Sequence, residues 1–174
     1  ELMQRIMPDT VKKLSGRELM SILGSKINDE RSILRSAYDM SVPVFCPALP
    51  DSMIGLQAWM FSQTHRLNVD AFADIKEIVD ICYGCERSGI VIVGGGAPKN
   101  FALQSMLVTP NSFDLAIQLT TDTPENGGLS GATLSEAVSW GKISEHAKFV
   151  TVYGDATITL PMMVAATMER LNLS

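Results

Sequence analysis

Apolar residues at helical spacing mark one long segment of the chain, residues 70–87, where Phe72, Ile75, Ile78, Val79 and Cys82 fall on a single stripe. Elsewhere short β-rich runs alternate with amphipathic ones. Val44-Phe45-Cys46 reads as a buried strand, and the β-branched run Ile90-Val91-Ile92-Val93 as a second, suited to burial on both faces. Residues 113–119 and 149–153 read as a third and a fourth strand, and residues 98–107, 134–142 and 162–171 as helices. Ahead of these, Ser15-Gly16-Arg17-Glu18 has the spacing of a capping box and opens a helix to about Ile27. Asn28-Asp29 caps another that ends near Met40, since Pro43 cannot continue it. Strands alternating with helices require crossover connections, so the expected fold is α/β, a mainly parallel sheet with helices on both faces. No repeat and no Pro/Gly/Ser linker divides the chain, so residues 1–174 are expected to form a single domain.

In open parallel sheets, ligands collect outside the carboxyl ends of the strands. The polar and glycine-rich motifs of this chain fall there: Pro47 to Asp51 after the first strand, Gly94-Gly95-Gly96 after the second, Thr120-Thr121-Asp122 after the third and Gly154-Asp155-Ala156 after the fourth. The glycine triplet either admits a phosphate or ribose to backbone N–H groups at a helix start or is a tight turn. Asp122 and Asp155 either accept from ribose hydroxyls or act as caps and solvated loop charges.

Charge narrows the partners. Lys+Arg 14 against Asp+Glu 19 gives a net charge of −5 with no basic cluster, which argues against nucleic acid. No apolar stretch is long enough for a bilayer span, and Glu1 to Arg5 has no signal layout, so a soluble, cytoplasmic protein is expected. The hydrophobic share of 46% exceeds what one small core needs and hints at subunit contacts. Three cysteines make no disulfide framework, and Cys82-Tyr83-Gly84-Cys85 lacks the second pair that a zinc site requires. His65 and His146 have no matched carboxylate or nucleophile motif.

The densest chemistry runs from Thr121 to Lys142. Gly127, Gly128 and Gly131 imply a sharply bent loop, and Lys142 beside Trp140 and Gly141 is a candidate desolvated amine, able to form an imine. Alternatively Lys142 complements a helix C-terminus, and Glu136 is the far half of a capping box begun by Thr133.

Four blocks in order, Val93 to Gly96, Gly127 to Ala132, Glu136 to Lys142 and Val152 to Thr157, resemble the consecutive signatures of deoxyhypusine synthases, with the Ser139-Trp140-Gly141-Lys142 run the most specific. The similarity covers nearly the whole chain and matches roughly the second half of that family's protein. It implies a Rossmann-like fold, a homotetramer and NAD bound at subunit interfaces. It also implies transfer of the butylamine part of spermidine, through a lysine imine, to a lysine of a translation initiation factor. Lys142 would form the imine, with Trp140 and Glu136 against the polyamine beside Gly127 and Gly128. The dinucleotide would be held by Asp51, Gly94, Gly95, Gly96, Thr121, Asp122, Asp155 and Ala156.

Three positions depart from the family pattern. Asn100 stands where a His follows Lys99, and Leu56 and Leu129 replace carboxylates. Each lost carboxylate removes a charge-assisted hydrogen bond of roughly 1.5–3 kcal/mol from the grip on a polycation. A relative acting on small amines, with homospermidine-type products, is therefore an alternative, and a catalytically silent partner subunit another. The chain is further expected to need a separate N-terminal segment for activity.

Overall fold

The computed structural model describes residues 13–173, so Glu1 to Arg5 lie outside the described residues. Within the span expected to be a single domain, the chain forms two compact units, one ending at Glu77 and the other beginning at Ile78. The boundary escaped composition because it falls inside a continuous helix rather than in a linker.

In the first unit, β1 (Lys13–Ser15) pairs in parallel with β2 (Asn68–Asp70). The expected capping box opens α1 (Gly16–Ser25): Ser15 Oγ accepts from the Glu18 N–H at 3.0 Å, and the Glu18 carboxylate accepts from the Ser15 N–H at 2.8 Å. The next helix, α2 (Ile33–Asp39), starts at Ser32 and not at Asn28-Asp29. Asp29 instead accepts from the Arg31 N–H at 3.0 Å, closing a turn that delays the helix. No strand forms at residues 44–46, because Pro43 and Pro47 on either side donate no ladder hydrogen bond. Val44 and Cys46 pack on the core all the same, a cluster of Leu19, Met20, Leu23, Leu49, Ala58 and Phe61. The last two come from α3 (Met53–Ser62), an unexpected helix that is apolar all round and so shows no periodicity.

The long helix α4 (Ala71–Tyr83) is shorter than the expected 70–87. Its stripe is only partly interior, with Cys82 buried and Phe72 exposed.

The second unit is built on a three-stranded parallel sheet in the order β3 (Gly89–Val93), β4 (Phe113–Thr120), β5 (Ile143–Tyr153). Ile92 stands opposite Gln118, and Leu119 opposite Val152. Helices α5 (Gly96–Ser105), α6 (Gly128–Gly131), α7 (Leu134–Ser139) and α8 (Ala156–Leu171) connect and follow the strands. Cys82, Leu103, Met106, Leu134 and Ala137 meet Ile92, Phe113, Ala116 and Ile143 in one core. The expected burial of β3 on both faces is not met: Val91 and Val93 are about half exposed, as an edge strand permits. β5 starts at Ile143 rather than 149, its polar first residues hiding the strand, and α8 starts at Ala156 and runs through Pro161.

Candidate active site

The carboxyl ends of β3, β4 and β5 open into a pocket of about 430 Å³, within the range of small-molecule sites. Gly94, Thr121, Asp122, Asp155 and Ala156, all expected to bind cofactor, line it, together with Asn126 and Ser130. Gly94 ties the turn to the sheet through its N–H, which donates to the Leu119 carbonyl at 2.7 Å, and has φ 79°. A Cβ at Gly94 or Gly96, also at positive φ, would meet nothing within 4 Å, so both leave open space that side chains would fill. Gly95 differs: its backbone is extended, but a Cβ would stand 2.6 Å from Ser130 Cα. Asp122 accepts from Asn126 Nδ2 at 2.7 Å and from the Thr123 N–H at 3.2 Å. Asp155 caps α8, and the hydroxyl and amide of Thr157 that donate to it hold its carboxyl below the usual range. It is therefore both a cap and a pocket carboxylate.

A second pocket, of about 250 Å³, contains Lys142, Glu136 and Trp140 with Lys99, Asn100 and Leu129. Helix α7 sets their spacing. Thr133 Oγ1 accepts from the Glu136 N–H at 3.2 Å, forming only the near half of a capping box. Trp140 is the C-cap, and Gly141 at φ 71° turns the chain into Lys142. Lys142 is half-buried, and its carbonyl accepts from the Phe113 N–H at 3.2 Å, fixing its backbone beside the first residue of β4. Asn100 faces along its helix, donating to Gln104 Oε1 at 3.0 Å.

The deeply buried amine of this pocket is not Lys142 but Lys99, 6% exposed, whose pKa burial lowers while Glu136 opposes the shift. Its ammonium donates to Gln118 Oε1 at 3.2 Å and to the Ala132 carbonyl. Neither residue was singled out from sequence, yet both break a local rule. A cation in the first turn of a helix opposes the dipole, and Gln118 interrupts an apolar strand.

Gly127 and Gly128 sit at φ 72° and 71°, as a sharply bent loop requires, but line neither pocket. Asp51 lies in the first unit, exposed in the 3₁₀ turn Leu49–Asp51, where Gly55 lets α3 press on the Leu49 carbonyl. Cys82 is a core residue, 3.9 Å from Ser105 Oγ, and burial pushes its thiol pKa up.

Comparison with known proteins bears on these motifs directly. A family profile described as deoxyhypusine synthase matches residues 1–167. The chain belongs to the deoxyhypusine synthase family. It is 60% identical over 161 residues to "Probable deoxyhypusine synthase 1" of Methanosarcina mazei, covering 92% of this chain and 51% of that protein. It is 50% identical over 157 residues to the protein of the same name from Archaeoglobus fulgidus, covering 90% and 51%. A crystal structure from Entamoeba histolytica assigned to the same family superposes with a TM-score of 0.63 at 19% identity, over 94% of this chain and 49% of that one, and supports the α/β, Rossmann-like fold. The chain spans about half the length of the curated relatives it matches. Among the described residues, no helix is long and apolar enough to cross a membrane.

Proposed function

We propose that this chain carries the lysine and the dinucleotide pocket of a deoxyhypusine synthase, transferring an aminobutyl group from spermidine to a protein lysine. The observation that carries the reading is the gathering of Lys142, Glu136 and Trp140 in one pocket of a chain that belongs to this family. A carboxylate and an aromatic face are what a cationic aliphatic amine needs.

The pocket at the strand ends suits NAD, with side-chain-free surface at Gly94 and carboxylates at Asp122 and Asp155 for ribose hydroxyls. When bound there, NAD supplies a hydride acceptor and later a hydride donor. Lys142 acts between those two events. Its amine adds to the oxidised carbon of spermidine, the bond from that carbon to the departing nitrogen breaks, and 1,3-diaminopropane leaves with the proton that the lysine nitrogen gives up. The four-carbon fragment then sits on Lys142 as an imine until the acceptor lysine displaces it. Glu136 holds the far ammonium, and Trp140 covers the chain.

Within one copy the two pockets are distinct but adjacent: Leu129 and Ala132 line the lysine pocket, and Ser130 between them lines the dinucleotide pocket. Copies of the chain associate, in keeping with a homotetramer. The protein works in the cytoplasm, where translation factors are found.

Borohydride reduction in the presence of NAD and spermidine tests the assignment. A butylamine adduct mapped to Lys142, absent from Lys142→Arg, is the expected result. An adduct on another lysine, or equal trapping by the variant, would overturn it. A second reading is favoured by the single carboxylate, Glu136, in a pocket where Asn100 and Leu129 are part of the wall. It has a small amine such as putrescine as acceptor, and product analysis with putrescine against the protein acceptor separates the two.

A further inference from the structure

Lys99 and Gln118 are 6% and 1% exposed, and no step of the proposed chemistry uses them. Together they form a continuous polar path through the second unit. Gln118 Nε2 donates to the Gly94 carbonyl at 3.0 Å and to the Ser130 carbonyl at 3.2 Å. Gln118 Oε1 accepts from Lys99 Nζ, which also donates to the Ala132 carbonyl. Three backbone carbonyls are thus joined: one in the glycine turn after β3 and two on the loop from Gly127 to Ala132.

That loop is short of regular structure. It contains a four-residue helix and two glycines at positive φ. Its Ser130 and Ala132 carbonyls accept from the buried pair, and each left unmatched would cost the desolvation of a buried acceptor. Apolar side chains would fill the same volume without burying an ammonium, so the polar pair serves geometry rather than packing.

The two ends of the path belong to different pockets. Gly94 and Ser130 line the dinucleotide pocket, and Ala132 lines the lysine pocket. Gln118 lines neither, and Lys99 lines only the second. We propose that Lys99 and Gln118 are positioning residues that clamp the glycine-rich loop, so that the shape of the dinucleotide pocket depends on a lysine that does not touch it. The inference rests on the assignment of that pocket to NAD for its ligand, but not for the clamp itself.

The test uses the full chain and two variants. Lys99→Met removes the donor to Ala132. Gln118→Glu keeps an acceptor for Lys99 but loses both donors to Gly94 and Ser130, and it gives the buried ammonium a counter-charge should Lys99→Met fail to fold. Hydrogen exchange is expected to accelerate at least tenfold in residues 127–132 while β4 stays protected, and NAD titration is expected to show at least tenfold weaker binding. Unchanged exchange in residues 127–132, or acceleration spread equally over the sheet, would overturn the clamp. So would NAD binding by both folded variants at wild-type affinity. If the unaltered chain binds no NAD, the reading of the pocket fails, and the exchange measurement still decides the clamp.

Discussion

Replacing Gly95 with alanine isolates the contact between the glycine turn and the loop. The backbone at Gly95 has φ 177°, a conformation open to any residue, so the added methyl introduces no dihedral strain. It introduces a collision, with Ser130 Cα at 2.6 Å, Oγ at 3.0 Å and Cβ at 3.1 Å. A side chain could swing aside, but Cα is main chain, so the loop must retreat about 0.8 Å to reach the 3.4 Å at which ordinary contact begins. Overpacking of this kind costs about 1–3 kcal/mol, and restriction of the unfolded chain returns about 0.4–1 kcal/mol. A net loss of about 1–2 kcal/mol corresponds to a fall in Tm of roughly 2–8 °C for a chain of this size. Thermal melts followed by circular dichroism measure that fall, and calorimetric titration with NAD measures the loss at the pocket that Ser130 lines. Two controls separate the causes. At Gly84 a Cβ would have no neighbour closer than 3.5 Å, so Gly84→Ala should melt like the parent. At Gly94 a Cβ meets nothing but φ is 79°, so Gly94→Ala loses stability by backbone strain of about 1–2 kcal/mol. If Gly95→Ala melted and bound NAD as the parent does, the loop would not be pressed on the turn and the reasoning would fail.

Two further predictions concern groups outside the pockets. Asp74 is 4% exposed, and burial raises its carboxyl pKa although the Arg17 N–H donates to it at 2.9 Å. Between the ordinary 3.8 and the raised value the folded state holds more protons than the unfolded one, so this group lowers stability as pH rises through that window. The urea midpoint of Asp74→Asn, compared with the parent across mildly acidic pH, should gain relative stability as pH rises; a constant difference would show that Asp74 does not titrate there. Among the thiols, a disulfide reagent should modify the part-exposed Cys85 in the native protein and reach Cys82 only on unfolding. Fast native labelling of Cys82 would contradict its burial against Ser105.

Legibility of this fold from sequence followed the strength of local signals. The capping box at Ser15 and Glu18 was legible because two side chains and two N–H groups satisfy one another within four residues. Strand β3 was legible because its β-branched run ends at a glycine turn, and β4 because its apolar run ends at a threonine turn. Helix α3 was not, because Met53, Leu56, Trp59 and Met60 leave its exposed side as apolar as its buried one. Strands β1 and β2, of three residues each, are too short to alternate. In the site, the residues brought together were those at strand ends, which topology alone places side by side. The misplaced expectation was the identity of the buried amine: apolar neighbours in sequence suggested Lys142, whereas burial is decided by what packs across, and that encloses Lys99.

The loop shared by the pockets decides how their roles can be told apart. The residues of this chain that line either pocket lie between Gly94 and Ala156, inside the second unit. Leu129 and Ala132 line the lysine pocket, and Ser130 lines the other. A change in the loop should therefore disturb both ligands of the proposed reaction. Lys142 lines only one pocket, so Lys142→Arg should lose the borohydride-trapped adduct and keep the NAD affinity of the parent. Calorimetric titration of the variant with NAD measures that difference, and loss of NAD binding together with the adduct would refute it.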